Sequence, residues 1–189
     1  MKRTILAGLA AGVAMYVWSS IAHVVTPLGQ VGVGVIPNEQ PVLDALHSSL
    51  GASTGLYMYP GMDLSSPASM QAQMDIYEKK LATNPSGLLI YNPPGAKPME
   101  TSQLITEFVI ELIESMLLVF LLSATSLVTF GARVGFATVV GIVGSMVTNL
   151  PYWNWYHFPT NYTACSMFVQ IVGFVVAGAV AALILKKPV

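Results

Sequence analysis

Between Leu104 and Phe130 the chain is apolar for long enough to cross a membrane, yet it carries three carboxylates, Glu107, Glu111 and Glu114. At 3.6 residues per turn these fall within about 60° of one another, forming one acidic stripe on a greasy helix. Placing a charge in hydrocarbon costs on the order of 3 kcal/mol on insertion scales. Glu114, the deepest of the three, must therefore be protonated, paired or turned toward water inside a bundle. Three acids on one side also repel each other, which favours a shared proton or a bound cation.

Partners of the right chemistry occur elsewhere in the chain. His23 closes the first apolar stretch, Asn149 the third, Gln170 lies early in the fourth, and His157 sits between the third and fourth. Two imidazoles and two carboxylates, His23, His157, Glu111 and Glu114, form a donor set that suits Zn, Fe, Mn or Cu. The same groups suit a proton relay, or hydrogen bonds to the head of a quinone. No His-x-x-x-His or Glu-x-x-His spacing occurs, so a metal centre depends on convergence in space. The competing expectation is structural: Glu107 is interfacial, Glu111 and Glu114 are satisfied by neighbours, and the stripe only fixes helix packing.

The elements that must position these residues follow from composition. Hydrophobic residues make up 54% of the chain and charged ones 9%, against roughly 25% charged in soluble domains, so the chain cannot dress a water-facing globular surface. Four stretches approach the spanning length of about 20 residues: Ile5 to Val25, Leu104 to Val128, Gly131 to Leu150 and Ala164 to Leu185. The expected fold is mainly α, a four-transmembrane-helix bundle (1–25 and 104–185) with a small α/β extracytoplasmic cap between helices 1 and 2 (26–103).

A net charge of −1 with eight scattered Lys and Arg removes nucleic acid as a partner. The lipid bilayer is the expected partner, with a larger membrane complex or a homo-oligomer as further candidates. Cys165 is the only cysteine, so there is no intrachain disulfide or CxxC pair. Lys2 and Arg3 before the first span, Arg133 between the second and third, and Lys186 and Lys187 after the fourth fall on one side of four crossings. The positive-inside rule makes that side cytoplasmic, with both termini inside and the cap in the periplasm or outside.

The segment 1–25 also has the basic start, apolar stretch and Ser20/Ala22 pair of a cleaved secretory signal, which would leave His23 N-terminal and able to grip copper. A spanning helix is preferred, because the stretch continues through Trp18 to His23 as a full crossing does. Ala7, Gly8, Ala11 and Gly12 give small-xxx-small spacing, repeated in Gly131/Gly135 and Gly173/Ala177, which permits close helix approach.

Within the cap, helices are expected at about 41–50, with Asn38 as N-cap, and at about 67–83, started by Ser66-Pro67. Matched runs of Gly-Leu, two apolar or aromatic residues and Tyr predict strands at about 55–59 and 87–91, in a β-α-β or looser strand-helix-strand unit. His47 and the cap methionines Met58, Met62, Met70, Met74 and Met99 read as surface and packing residues ahead of any copper site. Between spans three and four, Tyr152, Trp153, Trp155, Tyr156, Phe158 and Tyr162 form an interfacial belt around a turn shaped by Pro151 and Pro159, or else an aromatic wall around a ligand.

The runs Asn84-Pro85-Ser86-Gly87-Leu88-Leu89-Ile90-Tyr91 and Tyr152-Trp153-Asn154-Trp155-Tyr156 resemble those of uncharacterised bacterial four-span integral membrane proteins. The resemblance implies a bacterial inner-membrane setting with an outward cap, and no activity. Phosphate loops, Gly-x-Ser-x-Gly elbows, His-Glu-x-x-His helices and dinucleotide fingerprints are missing from the sequence. The function expected is therefore non-enzymatic: a carboxylate- and histidine-lined outer-leaflet cavity that binds a proton-linked small ligand or cation. The alternatives are an accessory or scaffold subunit of a larger membrane complex, and a membrane redox or metal-dependent enzyme using a divalent metal or quinone.

Overall fold

A computed structural model describes residues 2–63 and 65–185, and the chain is mainly helical: 70% helix, with six α-helices and one two-stranded sheet. In chain order the elements are α1 (Lys2–Ser20), a π-helical turn (Ile21–Val25), a 3-10 turn (Pro27–Gln30), α2 (Gln40–Leu50), β1 (Gly55–Tyr59), α3 (Met70–Thr83), β2 (Gly87–Tyr91), α4 (Thr101–Ser123), α5 (Phe130–Tyr156) and α6 (Thr160–Ile184). They divide into two compact units, one built from Met1–Gly34 with Met99–Val189 and the other from Val35–Pro98.

Among the described residues of the first unit, three helices are long and apolar enough to cross a membrane: Lys2–Val25, Phe130–Tyr156 and Thr160–Ile184. The fourth, α4, has 23 residues, but every 18-residue stretch of it contains all three glutamates. It lies antiparallel along α1, with Gly8 against Met116, Gly12 against Leu112, and Tyr16 edge-on to Phe108 at 5.2 Å between centroids. Glycine is required at Gly12, where an added Cβ would stand 2.9 Å from the Leu112 Cα. Alanines 7, 11, 177 and 181, with Leu118 and Leu122, make the buried centre. Small side chains let backbones approach closely where lipid tails provide no hydrophobic drive for association. Gly131 and Gly135 differ from that expectation: a Cβ at either would meet nothing within 4 Å, so their spacing packs nothing inside the chain.

The four helices do not close into a ring. α1 packs on α4 and α6, and α5 packs on α6, while α4 and α5 make only sparse contact. Their shared core is at the end joined by the turn 124–129, where Leu118 and Leu122 meet the Ala137 cluster. That turn begins earlier than the expected span end at Val128, because α4 stops at Ser123 and the Thr125 hydroxyl donates to the Leu122 carbonyl at 2.8 Å.

Arg133, expected only as a charge marking one side, is 7% exposed. Its Nε donates to the Leu127 carbonyl at 3.0 Å and its guanidinium also donates to the Leu185 carbonyl, so it ties the turn to the end of α6. Lys186 and Lys187, on which the side assignment also leans, lie outside the described residues. Arg133→Ala leaves the part-buried Leu127 and Leu185 carbonyls without this donor. It is expected to cost about 1–3 kcal/mol, read as a lower thermal midpoint of the purified protein; a midpoint equal to wild type would show the guanidinium to be dispensable.

At the other end, α5 continues through Pro151 to Tyr156, so the aromatics expected in a loop stand on a helix and only His157–Pro159 connect α5 to α6. Membrane helices tolerate an internal proline, since neighbouring groups re-satisfy the freed backbone. The helix stops at His157, whose backbone is left-handed (φ 56°) and whose successor Phe158 donates its N–H to the Tyr152 carbonyl at 3.3 Å.

In the second unit the strands span Gly55–Tyr59 and Gly87–Tyr91 and pair antiparallel, Leu56 opposite Ile90 and Met58 opposite Leu88, so of the two expected arrangements it is the looser strand-helix-strand and not the parallel β-α-β. α2 begins at Gln40 with Asn38 in left-handed backbone (φ 53°) rather than as its N-cap. α3 begins at Met70, because Ser69 and not Ser66 supplies the cap, accepting from the Ala72 N–H at 3.3 Å. Asp63 accepts from the Ser65 hydroxyl at 2.6 Å and from its N–H at 3.0 Å, which holds its carboxyl below the usual carboxylate range. The residues Thr26–Gly34, expected in the cap, belong to the helical unit: the Thr26 hydroxyl donates to the Ala22 carbonyl at 2.8 Å and the Cys165 thiol to the Leu28 carbonyl at 3.3 Å.

Candidate functional site

The gap left between α4 and α5 is a cavity of about 550 Å³, within the range of roughly 300–1,000 Å³ typical of ligand pockets. Its α4 wall carries Glu107, Glu111 and Glu114, which the helical period places together with Ile110, Leu117 and Leu121. α1 supplies Met15, Trp18 and Ser19, α5 supplies Val140, Gly144 and Thr148, and α6 supplies Gln170, Gly173 and Phe174. The polar groups gather toward the start of α4, and the apolar ones toward the turn at its far end.

Each glutamate has a different setting. Glu107 is exposed and Glu114 half-buried, whereas Glu111 is 5% exposed and its Oε2 has no hydrogen-bond partner among the described residues. Ser19 of α1 lines the cavity together with it. Glu111 is held there by the Gly12 approach, which brings α1 against the backbone carbonyl of Glu111 itself. Among the described residues, no Lys or Arg lines the cavity.

His23 sits on the π-helical turn that continues α1, a geometry that often marks functional positions. Its Nδ1 lies 3.0 Å from the Ser19 carbonyl oxygen. A carbonyl only accepts, so Nδ1 bears the proton and Nε2 of the neutral ring is an acceptor. Opposite, the Gln170 Oε1 accepts from the Thr148 hydroxyl and from Asn149 Nδ2, both at 3.1 Å, joining α5 to α6. A second, smaller cavity of about 240 Å³ is lined by His23, Asn149, Tyr162, Ser166 and Gln170, and shares His23, Val169 and Gln170 with the first.

Six of the seven residues singled out from sequence thus line these two adjoining cavities: Glu107, Glu111, Glu114, His23, Asn149 and Gln170. His157 does not. The extension of α5 carries it eight residues past Asn149, about 12 Å along a helix axis, to an exposed position at the helix end. The proposed donor set of His23, Glu111, Glu114 and His157 is therefore not assembled, and among the described residues no three His, Cys, Asp or Glu converge to hold a metal ion.

Sequence reasoning missed Ser19, Trp18, Thr148 and Phe174. Ser19 was detectable as the residue one helical turn before His23, and Thr148 as the neighbour of Asn149. Trp18 and Phe174 carried no signal beyond their apolar class. Set against known proteins, the chain matches no family model, no curated protein and no solved structure.

Proposed function

We propose that this is a four-crossing integral membrane protein whose cavity binds a small cationic ligand in exchange for protons, with Glu111 as the central acceptor. The observation that carries this reading is the Glu111 carboxyl: buried, facing the cavity, and with one oxygen lacking any partner among the described residues. An unpartnered buried carboxyl is accommodated as the neutral acid or beside a cation. Glu107 and Glu114 on the same helix, and His23 on the adjoining turn, are the titratable groups facing it. α5 and α6 add only the neutral Thr148 and Gln170.

Support for α4 as a crossing is its antiparallel course along α1, helix against helix, through Gly8 and Met116, Gly12 and Leu112, and Tyr16 and Phe108. The side assignment from Lys2, Arg3 and Arg133 then puts both termini in the cytoplasm and the cavity in the outer leaflet of an inner membrane, with the Val35–Pro98 unit outside.

Mass spectrometry of the intact protein released in mild detergent, together with elemental analysis, tests the proposal. Wild type is expected to carry a cationic small molecule or metal cation that Glu111→Gln loses, and to shed it as the solution is acidified. Identical occupancy of the two proteins would overturn it. A second reading, an accessory subunit of a larger complex, is favoured by the unpacked Gly131/Gly135 face of α5; a stoichiometric partner chain in the same spectrum would select it.

A further inference from the structure

The two ends of the cavity differ in chemistry, and its open side is the missing α4–α5 contact. Around the acidic end stand Glu107, Glu111, Ser19, His23, Thr148 and Gln170; around the other end stand Leu117, Leu118, Leu121, Val140 and Phe174. Ile110, Leu117 and Leu121 line the cavity and are nonetheless 43%, 57% and 43% exposed, so they form the rim of the opening rather than its floor. In a bundle that crosses a bilayer, a rim of this kind faces hydrocarbon.

From this geometry we infer that the ligand is a single-chain amphiphile with a cationic head, which reaches the cavity sideways from the bilayer between α4 and α5. The inference rests on the cation reading above and adds the tail and the route. The head meets Glu111, which among the described cavity-lining residues is the acceptor that is both buried and unpartnered. Trp18, on the same helix as Ser19, lines the same cavity, and aromatic rings attract organic cations. The Trp18 indole N–H is already committed to the Val169 carbonyl at 2.9 Å, so its ring rather than its donor is what the cavity receives. The tail lies along the leucines toward the turn, where burying methylenes is favourable only for a chain drawn from water and nearly neutral for one drawn from lipid. Selectivity therefore resides in the head, and the tail serves to deliver it.

The test uses full-length protein in lipid nanodiscs and three probes: dodecyltrimethylammonium, which has head and tail; tetramethylammonium, the head alone; and dodecanol, the tail with a neutral head. Saturable binding above that of empty nanodiscs is expected for dodecyltrimethylammonium, at least tenfold weaker for each of the others. Glu111→Gln is expected to reduce it at least tenfold. Gly144→Phe provides a second variant: a Cβ there meets nothing within 4 Å, and Gly144 lines the cavity between Val140 and Thr148, so the substitution adds bulk to the cavity wall. It should abolish dodecyltrimethylammonium binding while leaving the elution profile of the folded protein unchanged.

Tetramethylammonium binding as tightly as the long-chain probe, or full binding by Gly144→Phe, would overturn the amphiphile and leave a cation site at Glu111 intact. Dodecanol binding equally well, or no saturable binding of any probe to wild type, would overturn both the inference and the function it rests on.

Discussion

Gly12→Leu is expected to destabilise the helical unit more than any other single change considered. A Cβ at this position would sit 2.7 Å from the Leu112 Cδ2, 2.9 Å from the Leu112 Cα and 3.3 Å from the Glu111 carbonyl oxygen. Two of those three atoms are backbone, so no rotamer change relieves the overlap and α1 must move away from α4. Overpacking typically costs about 1–3 kcal/mol, occasionally more, and here the displaced contact also fixes Glu111. The expected result is a lower thermal midpoint in detergent and a loss of ligand binding together. Gly8→Ala should cost less, because the nearest obstacle is the flexible Met116 Sδ, with the Met116 Cα at 3.3 Å. Gly144→Ala, which meets nothing within 4 Å, should leave the midpoint unmoved. A Gly12→Leu protein as stable as wild type would show that α1 and α4 do not meet as described.

Glu111→Leu is expected to have opposite effects on stability and on binding. A carboxyl oxygen buried without a partner carries a desolvation penalty of about 1–3 kcal/mol, which an apolar side chain of similar size removes. The variant should therefore melt higher than wild type while losing cation binding at least tenfold. Stability given up at one buried polar group and recovered by its removal is the pattern of a site kept for function. Thermal melts and dodecyltrimethylammonium binding on the same preparation measure both effects. A lower midpoint would instead mark Glu111 as a packing residue, supporting the structural alternative set against the cavity from the start.

Much of the architecture was legible before any coordinates. The apolar runs located α1, α5 and α6, and the strand bounds 55–59 and 87–91 were read from the paired runs that open on Gly-Leu and close on Tyr. Helix starts were less legible. Asn38 and Ser66 are good caps by type, yet Glu39 precedes α2 and Ser69 caps α3, because several capping residues lie within two or three positions and only the local backbone selects among them. The end of α5 was misread for a related reason: Pro151 interrupts a soluble helix, but a helix with packed neighbours passes through it.

The sequence by itself determined that three glutamates share one helical face, because the period of 3.6 residues is a local property of the backbone. It determined equally that small residues recur on α1 and α6 at the spacing close packing needs. Only the tertiary structure decided which way the acidic face turns, that α4 and α5 part to leave a cavity in front of it, and that Glu111 alone among the three acids is buried. It also decided that His23 joins them and His157 does not. These outcomes depend on which helices contact which across the bundle, a matter of long-range packing that no short stretch of residues encodes.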